Sequence, residues 1–344
     1  MSARSLLVTG GAGFIGSNFI RYWLEHHPSD TIVNLDALTY AGNLANLADV
    51  ADNPNYNFVE GNIADPELVS KVMANCQLVV HFAAETHVDR SILNPSIFLE
   101  TNVTGTNVLL QAALEHHLDR FHHISTDEVY GSLELGSTDR FNETTAYDPH
   151  SPYSASKAAS DHLVRAYGQT YGLPFSITNC SNNYGQYQFP EKLVPLTITQ
   201  VIQGKRVPVY GDGRHVRDWL FVQDHCRAIE RVLLDKTTLG KTYLLGGLDQ
   251  DVSNLELVKM ILDKMGQDHQ VIEMVADRQG HDRRYAVDWS LSTQELGWEP
   301  SVTLSQGLDQ TIAWYQHNQQ WWQPLKDQSQ DFFETNYQSQ PSTS

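Results

Sequence analysis

Tyr153 and Lys157 form a pair whose residue types and spacing could do chemistry. They lie four positions apart in a segment with helical character, so they share one face of a helix. An ammonium group near a phenol stabilises the phenolate and lowers the tyrosine pKa from about 10 towards neutrality. Tyr153 would then be a usable base for the hydroxyl of a sugar or an alcohol. The same spacing is also common on surface helices, so the pair gains its meaning only beside a second motif.

A glycine-rich segment at residues 9–16, with the sequence TGGAGFIG, provides that second motif. It contains GxGxxG from Gly11 and GxxGxxG from Gly10, and it stands between a predicted strand and a predicted helix. Glycine is needed there because a Cβ would keep a pyrophosphate from the backbone, while the helix N-terminus attracts the negative charge. Asp36 follows 20 residues after Gly16, where a carboxylate binds the ribose hydroxyls and repels a 2′-phosphate. No Lys or Arg occupies the next four positions, so the segment predicts NAD rather than NADP as cofactor.

The elements that must position these residues alternate regularly along the chain. Short apolar runs predict strands, and the longer segments between them have helical spacing. Strands are predicted at residues 5–9, 31–35, 57–60, 77–82, 120–125 and 174–179. Helices are predicted at residues 14–27, from 66 onwards, and at 97–117, 153–171, 224–235 and 254–265. This order predicts an α/β fold, a Rossmann-type doubly wound parallel sheet with a smaller mixed α/β C-terminal substrate-binding lobe.

Near residue 180 the regular alternation of strands and helices ends, and the chain is predicted to have three parts. Residues 1–180 form the NAD-binding Rossmann domain, which also carries the catalytic residues. Residues 181–322 form mainly the substrate-binding lobe, with some segments returning to the Rossmann domain. Residues 323–344 are polar and rich in Gln and Ser, so a mobile tail is predicted there.

Composition limits the classes of partner. With 23 Lys and Arg against 41 Asp and Glu, the 344-residue chain has a formal net charge of −18. This balance excludes nucleic acid or an anionic membrane as the main partner, although a local arginine cluster can still bind a small phosphorylated ligand. The hydrophobic fraction of 41% is enough for a sizeable core, and no apolar run is long enough to span a membrane.

Cysteine and histidine usage argues against disulfides and metals. Cys76, Cys180 and Cys226 are few, odd in number and without a CxxC, so reduced thiols in a cytoplasmic protein are predicted. Histidine doublets occur at residues 26–27, 116–117 and 122–123, but they lack partners at ligand spacing. No metal is therefore expected.

Together the glycine turn, the strand-end Asp36 and the YxxxK helix resemble the extended short-chain dehydrogenase/reductase family. The resemblance extends from residue 6 to about residue 298, through the segments 83–91, 101–103, 179–185, 189–193, 216–219 and 277–285. It implies that a Ser or Thr at the end of the fifth strand completes a catalytic triad with Tyr153 and Lys157. Thr126 stands at that position.

Asp127 and Glu128, directly after Thr126, distinguish this chain within the family. Simple epimerases and reductases of the family need only the hydroxyl, the tyrosine and the lysine. Two added carboxyl groups provide an acid and a base for a second reaction, and the Thr-Asp-Glu run resembles the nucleotide-sugar 4,6-dehydratases. The resemblance implies dTDP-glucose as substrate, tightly bound NAD, oxidation at C4, loss of water across C5–C6 and re-reduction at C6.

Residue by residue, the resemblance also implies two binding sets and an assembly. The NAD set is Gly10, Gly13, Phe14, Ile15, Gly16, Asp36, Leu38, Thr39, Asn62, Ile63, Ala83, Ala84, Thr101, Tyr153, Lys157 and Asn183. The substrate set is Thr86, Thr126, Asn182, Lys192, Leu193, Pro208, Tyr210, Arg217, Asn254, Arg278 and His281. The assembly is a homodimer through a four-helix interface that uses the helices near 97–117 and 153–171.

Two alternatives remain open on the sequence alone. Another nucleotide-sugar enzyme of the same family, a 4-epimerase or a UDP- or CDP-sugar 4,6-dehydratase, would share most of these residues. A non-catalytic NAD-sensing regulator on the same fold is the alternative from a different class. The Asp127–Glu128 pair argues against the epimerase, and the intact set of Thr126, Tyr153 and Lys157 argues against the regulator.

Overall fold

The computed structural model of the chain describes residues 3–277 and 280–337. Within them, the strands in chain order are β1 (Ser5–Thr9), β2 (Thr31–Asp36), β3 (Tyr56–Glu60), β4 (Leu78–His81), β5 (Arg120–Thr126), β6 (Phe175–Cys180), β7 (Asn182–Tyr184), β8 (Val207–Tyr210), β9 (Val216–Arg217), β10 (Trp219–Phe221), β11 (Thr242–Leu245), β12 (Val252–Ser253) and β13 (Ile272–Val275). The α-helices are α1 (Phe14–His26), α2 (Pro66–Met73), α3 (Val88–Leu93), α4 (Pro95–Phe98), α5 (Thr106–Glu115), α6 (Pro152–Tyr171), α7 (Leu193–Ile202), α8 (Val222–Leu234), α9 (Asn254–Lys264), α10 (Ser290–Leu296), α11 (Leu304–His317) and α12 (Gln319–Tyr337).

A seven-stranded parallel sheet, in the order β11-β6-β5-β4-β1-β2-β3, forms the centre of the described chain. Its inner strands are covered on both faces, which is why β1 and β4 are nearly continuous apolar runs. Helices α2, α5 and α6 contribute to one face, and α1 and α8 contribute to the other. The predicted Rossmann-type α/β class is confirmed.

The second half of the chain supplies both a lobe and a return to the sheet. β11 extends the sheet beside β6, and α8 packs on α1, where Tyr22 and His27 both bond to Glu230. The remaining short strands pair within the lobe as β7 with β10, β8 with β13 and β9 with β12. In the chain from 3 to 277 and 280 to 337, no helix is both long and apolar enough to cross a membrane.

The helix predicted over residues 97–117 is interrupted. α4 passes into a π-helical stretch, Leu99–Gly105, before α5 begins at Thr106. The side chain of Asn102 in this stretch bonds the backbone of Glu85 in both directions, at 2.9 and 3.0 Å, and donates to Ser156 at 2.8 Å. The wider turn thus lets a buried amide join the loop after β4 to α6, a constraint that helical periodicity does not reveal.

The prediction of a mobile tail from residue 323 is wrong for the start of that segment. Helix α12 continues through it, and Trp322 and Lys326 are buried. The Trp322 indole donates to the carbonyl of Tyr315, and the Lys326 ammonium donates to Thr199 at 3.0 Å and to Gln200 at 2.9 Å. The polar composition did not indicate this packing, because only one face of the helix, with Trp322 and Lys326 four positions apart, makes these contacts. Residues 338–344 lie outside the described part.

Truncating the anchor of α12 tests this packing. Trp322→Ala should lower the free energy of unfolding by about 3–5 kcal/mol, since it removes a fully buried indole and leaves a cavity. Gln320→Ala, at an exposed position of the same helix, is the control and should change it by less than about 0.5 kcal/mol. Urea titration measures both, and equal stabilities for the two variants would show that α12 does not pack on the body.

Candidate active site

Two adjoining cavities open at the carboxyl edge of the sheet, where ligands bind in open α/β folds. The glycine-turn cavity, about 310 Å³, lies over the loop between β1 and α1. The lobe cavity, about 450 Å³, lies between that edge and the C-terminal lobe. Seven residues line both: Thr86, Glu128, Asn182, Asn183, Gln188, Glu191 and Lys192. A ligand in one cavity can therefore touch a ligand in the other.

The floor of the glycine-turn cavity is backbone. A Cβ on Gly10 would lie 2.6 Å from the backbone of Ala83, and one on Gly16 would lie 2.4 Å from the carbonyl oxygen of Gly10. Gly10 also has a φ of +71°, which L side chains rarely adopt. The turn can only close as it does with glycine at these positions, and it leaves the first turn of α1 facing the cavity.

Asp36 ends β2 at the rim of this cavity. Its two carboxylate oxygens accept hydrogen bonds from the backbone N–H groups of Ala12 and Leu38, each at 2.8 Å. Burial raises the pKa of Asp36, while these two bonds oppose the rise. Leu38 does not line the cavity, and its contribution is the N–H that orients Asp36. The other predicted NAD-binding residues all line it: Gly10, Gly13, Phe14, Ile15, Gly16, Asp36, Thr39, Asn62, Ile63, Ala83, Ala84, Thr101, Tyr153, Lys157 and Asn183.

Helix α6 brings Tyr153 and Lys157 to the same cavity. A reciprocal capping box between Ser151 and Ser154 fixes the start of α6 at Pro152, so Tyr153 is the second residue of the helix. Both side chains are buried, and the Lys157 ammonium donates to the carbonyl of Ile124 at 2.8 Å. The bond ties α6 to β5 and sets the depth of the pair.

The expected fall in the pKa of Tyr153 is not what this environment produces. Burial is the largest influence and raises the pKa of Tyr153 well above its usual value, and the nearby carboxylate of Glu128 adds to the rise. A hydrogen bond with Thr126 opposes it. The prediction from the Tyr-Lys spacing considered only the lysine and was wrong in direction, because it left out burial first of all and then the charges of the carboxyl groups after β5.

Thr126, Asp127 and Glu128 lie where β5 passes into a single 3₁₀ turn. Thr126 lines the glycine-turn cavity, and Glu128 lines both cavities. Asp127 lies beneath them, 1% exposed, with Oδ1 accepting from the Thr126 hydroxyl at 3.3 Å. Its Oδ2 has no hydrogen-bond partner among the described residues. Burial, then the charges of Glu128 and Asp218, raise the pKa of Asp127 well above its usual value, which favours its protonated form.

The lobe cavity gathers most of the predicted substrate-binding residues: Thr86, Asn182, Lys192, Leu193, Pro208, Tyr210, Arg217, Asn254 and His281. Thr126 lines the other cavity, and Arg278 lies outside the described residues. The guanidinium of Arg217 is fixed by the carbonyls of Val216 and Asp282, at 2.7 and 3.0 Å, and lies 4.3 Å from the ring centre of Tyr285. Such a held guanidinium is suited to an anionic group.

Sequence reasoning missed Lys326, which reaches the lobe cavity from α12. Burial, with the nearby positive charge of Lys205, lowers the pKa of Lys326 to about 8. Lys205 lines the same cavity. No motif marks either residue, and Lys326 is more than one hundred positions from its partners Thr199 and Gln200, so only the folded chain shows the association.

A cluster of His215, Asp277 and His281 lies beside the lobe cavity, with its ligand atoms within 4.8 Å of one another. Asp277 contacts Nδ1 of His281 at 2.7 Å and Nε2 of His215 at 3.2 Å. The two rings stack at 3.7 Å with an interplanar angle of 16°, so their in-plane lone pairs do not converge on one point. The guanidinium of Arg283, 3.2 Å from His215, also disfavours a cation. This geometry is that of a hydrogen-bonded cluster, and the absence of a metal stays a prediction.

Comparison with known proteins identifies the family of the chain. The family described as GDP-mannose 4,6 dehydratase matches residues 7–311. The chain belongs to this family. Among its relatives, the dTDP-glucose 4,6-dehydratase of Mycolicibacterium smegmatis is 51% identical over 323 residues, covering 94% of this chain and 96% of the relative. That of Escherichia coli is 48% identical over 353 residues, covering 94% and 97%. The motif-based resemblance to dehydratases is confirmed.

Solved structures of the family have the same fold. The dTDP-glucose 4,6-dehydratase DesIV from Streptomyces venezuelae, with NAD and dTDP bound, has a TM-score of 0.90 and 48% identity, covering 93% of this chain and 99% of that one. UDP-glucose 4-epimerase from Thermotoga maritima, with UDP-glucose, has a TM-score of 0.85 at 28% identity, covering 92% and 99%. Fold alone therefore does not separate a dehydratase from an epimerase, and the site must do so.

Proposed function

We propose that this chain is a hydro-lyase that converts dTDP-glucose to dTDP-4-keto-6-deoxyglucose with NAD as a resident cofactor. The observation that carries the proposal is the pair Asp127 and Glu128, which directly follow Thr126 where β5 ends. Asp127 is buried in surroundings that raise its pKa, whereas Glu128 lines both cavities. The names of the relatives that are about half identical over nearly the whole chain support the same reaction.

The glycine-turn cavity fits NAD. Its lining includes the glycine turn and the first turn of α1, which can face a pyrophosphate, and Asp36 presents its carboxylate at the end of β2. When bound, NAD supplies the acceptor and later the donor of a hydride, together with a positively charged ring. DesIV contains NAD in its structure.

In the first step, Tyr153 takes the proton of the substrate's C4 hydroxyl as the C4 hydride leaves. Thr126 bonds to the phenol and favours its ionised form. Lys157 adds positive charge at the floor of the cavity. This step produces a ketone at C4, which makes the proton on C5 acidic.

In the second step, Glu128 removes the C5 proton and Asp127 protonates the C6 hydroxyl, so the C6–O bond breaks and water leaves. The environments suit these roles, since the two carboxyl groups differ in burial and the raised pKa of Asp127 favours the protonated form that an acid needs. In the last step the hydride taken from C4 reaches C6, and Glu128 returns a proton to C5. Tyr153 then releases to solvent the proton taken from the C4 hydroxyl, and Asp127 takes up a proton from solvent to replace the one that left with water. The product is a 4-keto-6-deoxy sugar with no net oxidation.

The lobe cavity would hold the nucleoside diphosphate. Arg217 and Lys192 provide donors to phosphate oxygens from the lining, and Lys205 and Lys326 add positive charge. Arg278 and His281 belong to the same proposed set.

The three thiols, Cys76, Cys180 and Cys226, are buried and free, and this supports a reducing, cytoplasmic location.

A substrate screen tests the function. The chain is incubated with NAD and, separately, with dTDP-, UDP-, CDP- and GDP-glucose, and products are identified by mass and by NMR. Loss of water with a 4-keto-6-deoxy product, fastest from dTDP-glucose, is expected. Inversion at C4 without loss of water would identify an epimerase, a faster reaction of another nucleotide would identify a different dehydratase, and no turnover would favour the regulator.

The two half-reactions should separate by mutation. Asp127→Asn and Glu128→Gln should each slow product formation roughly 10²–10⁴-fold, because each removes one positioned acid or base. Both should still oxidise C4, while Glu128→Gln should also slow exchange of the C5 proton with solvent deuterium. Tyr153→Phe should abolish every step. Acid-quenched mixtures analysed by mass spectrometry distinguish the 4-keto intermediate from the product.

The control for these variants is Asp30→Asn, which changes another buried carboxyl group, bonded to Arg4 and outside both cavities. It should turn over at the wild-type rate. Normal turnover by Asp127→Asn, or wild-type C5 exchange by Glu128→Gln, would remove the roles given to this pair.

Cofactor preference follows from Asp36. A carboxylate at the ribose repels a 2′-phosphate, so NAD should bind at least ~10-fold more tightly than NADP, or about 1.4 kcal/mol. Asp36→Asn should narrow this ratio, and Glu60→Gln, at the end of the neighbouring β3, should leave it unchanged. Calorimetry on cofactor-free protein measures the ratio, and equal affinity for NAD and NADP in the wild type would contradict the assignment.

A homodimer through helices of the 97–117 and 153–171 segments is proposed from the family pattern. Apolar side chains exposed on or beside these segments support it, since Ile97 is 38% exposed, Leu99 56% and Tyr171 62%. Leu99→Glu should weaken self-association by at least ~10-fold, whereas Leu239→Glu, at an exposed leucine elsewhere, should not. Sedimentation at micromolar concentration measures both, and a fully active wild-type monomer would contradict the proposal.

A further inference from the structure

Asp161 lies on α6 four residues after Lys157 and eight after Tyr153, so the three share one helix face. Its side chain is 0% exposed, and it lines neither cavity. A carboxylate buried so completely costs stability unless other groups compensate it. The roles proposed above for Tyr153 and Lys157 leave this residue unexplained.

The surroundings of Asp161 hold it in its ionised form. Oδ2 accepts from the Tyr147 hydroxyl at 2.7 Å and from the Asn179 amide at 3.1 Å, and Oδ1 lies 3.2 Å from Nε2 of His123. Burial raises the pKa of Asp161, but His123, Lys157 and Tyr147 outweigh it and lower the pKa to about 2. The Asp161 carboxylate is thus a fixed negative charge between α6 and the strands β5 and β6.

Lys157 needs such a charge. It is 4% exposed, and burial lowers its pKa to about 8, with Asp161 and Cys180 opposing the fall. The titratable groups that face it, from α6, β4, β5 and β6, are Tyr153, Asp161, His81, His123 and Cys180. Burial lowers the pKa of both histidines, that of His123 to about 4. It raises the pKa of Cys180 to about 12, and it raises the pKa of Tyr153 well above its usual value. Within this set, Asp161 alone carries a charge opposite to the ammonium at neutral pH.

We infer that Asp161 is a positioning residue for the proposed reaction: its carboxylate, one helical turn below Lys157, keeps the lysine protonated at the floor of the glycine-turn cavity. The inference rests on the catalytic role proposed above for Lys157. Asp161 touches neither cavity, so it acts only through the lysine. The hydrogen bonds from Tyr147 and Asn179 hold the carboxylate in place without neutralising it.

The test measures the titration of Lys157 directly. Lysine labelled with ¹³C at Cε is incorporated into the full chain, and the Lys157→Met variant identifies the resonance. Asp161→Asn, which keeps the size of the side chain and an acceptor for Tyr147, should move the titration midpoint about one pH unit or more below that of the wild type. Tyr147→Phe, which keeps the charge and removes a hydrogen bond, should move it much less.

Asp224→Asn is the matched control, since Asp224 is another buried carboxyl group, bonded to Ser301 and Val302 and outside both cavities. It should leave the Lys157 midpoint at the wild-type value. An Asp161→Asn midpoint equal to the wild type would overturn the inference. The measurement needs no substrate, so it remains decisive even if dTDP-glucose is not turned over.

Two further readouts complete the test. If the wild type is active, the alkaline limb of its pH–rate profile should move to lower pH in Asp161→Asn by the same interval as the midpoint, and an unmoved limb would overturn the inference. If Asp161→Asn does not fold, the variant Asp161→Asn/Lys157→Met should fold, because both charges of the pair are then removed. A double variant no more stable than Asp161→Asn would overturn the inference.

Discussion

The hydrogen bond from Lys157 to the carbonyl of Ile124 joins α6 to the end of β5, and the site depends on that junction. β5 delivers Thr126, Asp127 and Glu128 in consecutive positions as it leaves the sheet. α6 delivers Tyr153 to the same place from the other side. Because the strands are parallel, their carboxyl ends lie at one edge of the sheet, and the bond from Lys157 holds α6, with Tyr153, against the end of β5.

Burial then determines what each titratable group at this junction can do. The same burial that raises the pKa of Asp127 also raises the pKa of Tyr153. A deeply buried acid is thus ready to give a proton, whereas the tyrosine depends on Thr126 and on positive charge close by. Glu128 differs from both because it borders the two cavities.

Local patterns predicted six of the seven strands of the main sheet, because these strands alternate with helical segments in the first 180 residues. They missed β11, which joins the sheet from the second half of the chain. The glycine turn and Asp36 were identifiable since their spacing is set by one βαβ unit. Lys326 was not, because its contacts with Thr199 and Gln200 arise from packing between distant segments. The pKa of Tyr153 was predicted in the wrong direction for a related reason: helix spacing shows the lysine, but neither the burial of the phenol nor the carboxyl groups that follow β5.

Helix α12 has a practical consequence for anyone redesigning the ends of this chain. A shortened version ending near residue 318 would look reasonable from composition, since residues 319–344 are rich in glutamine and serine. It would nevertheless remove Trp322 from the core and Lys326 from the wall of the lobe cavity. Fusion partners and affinity tags are therefore better attached beyond Tyr337, with a spacer, than joined to α11.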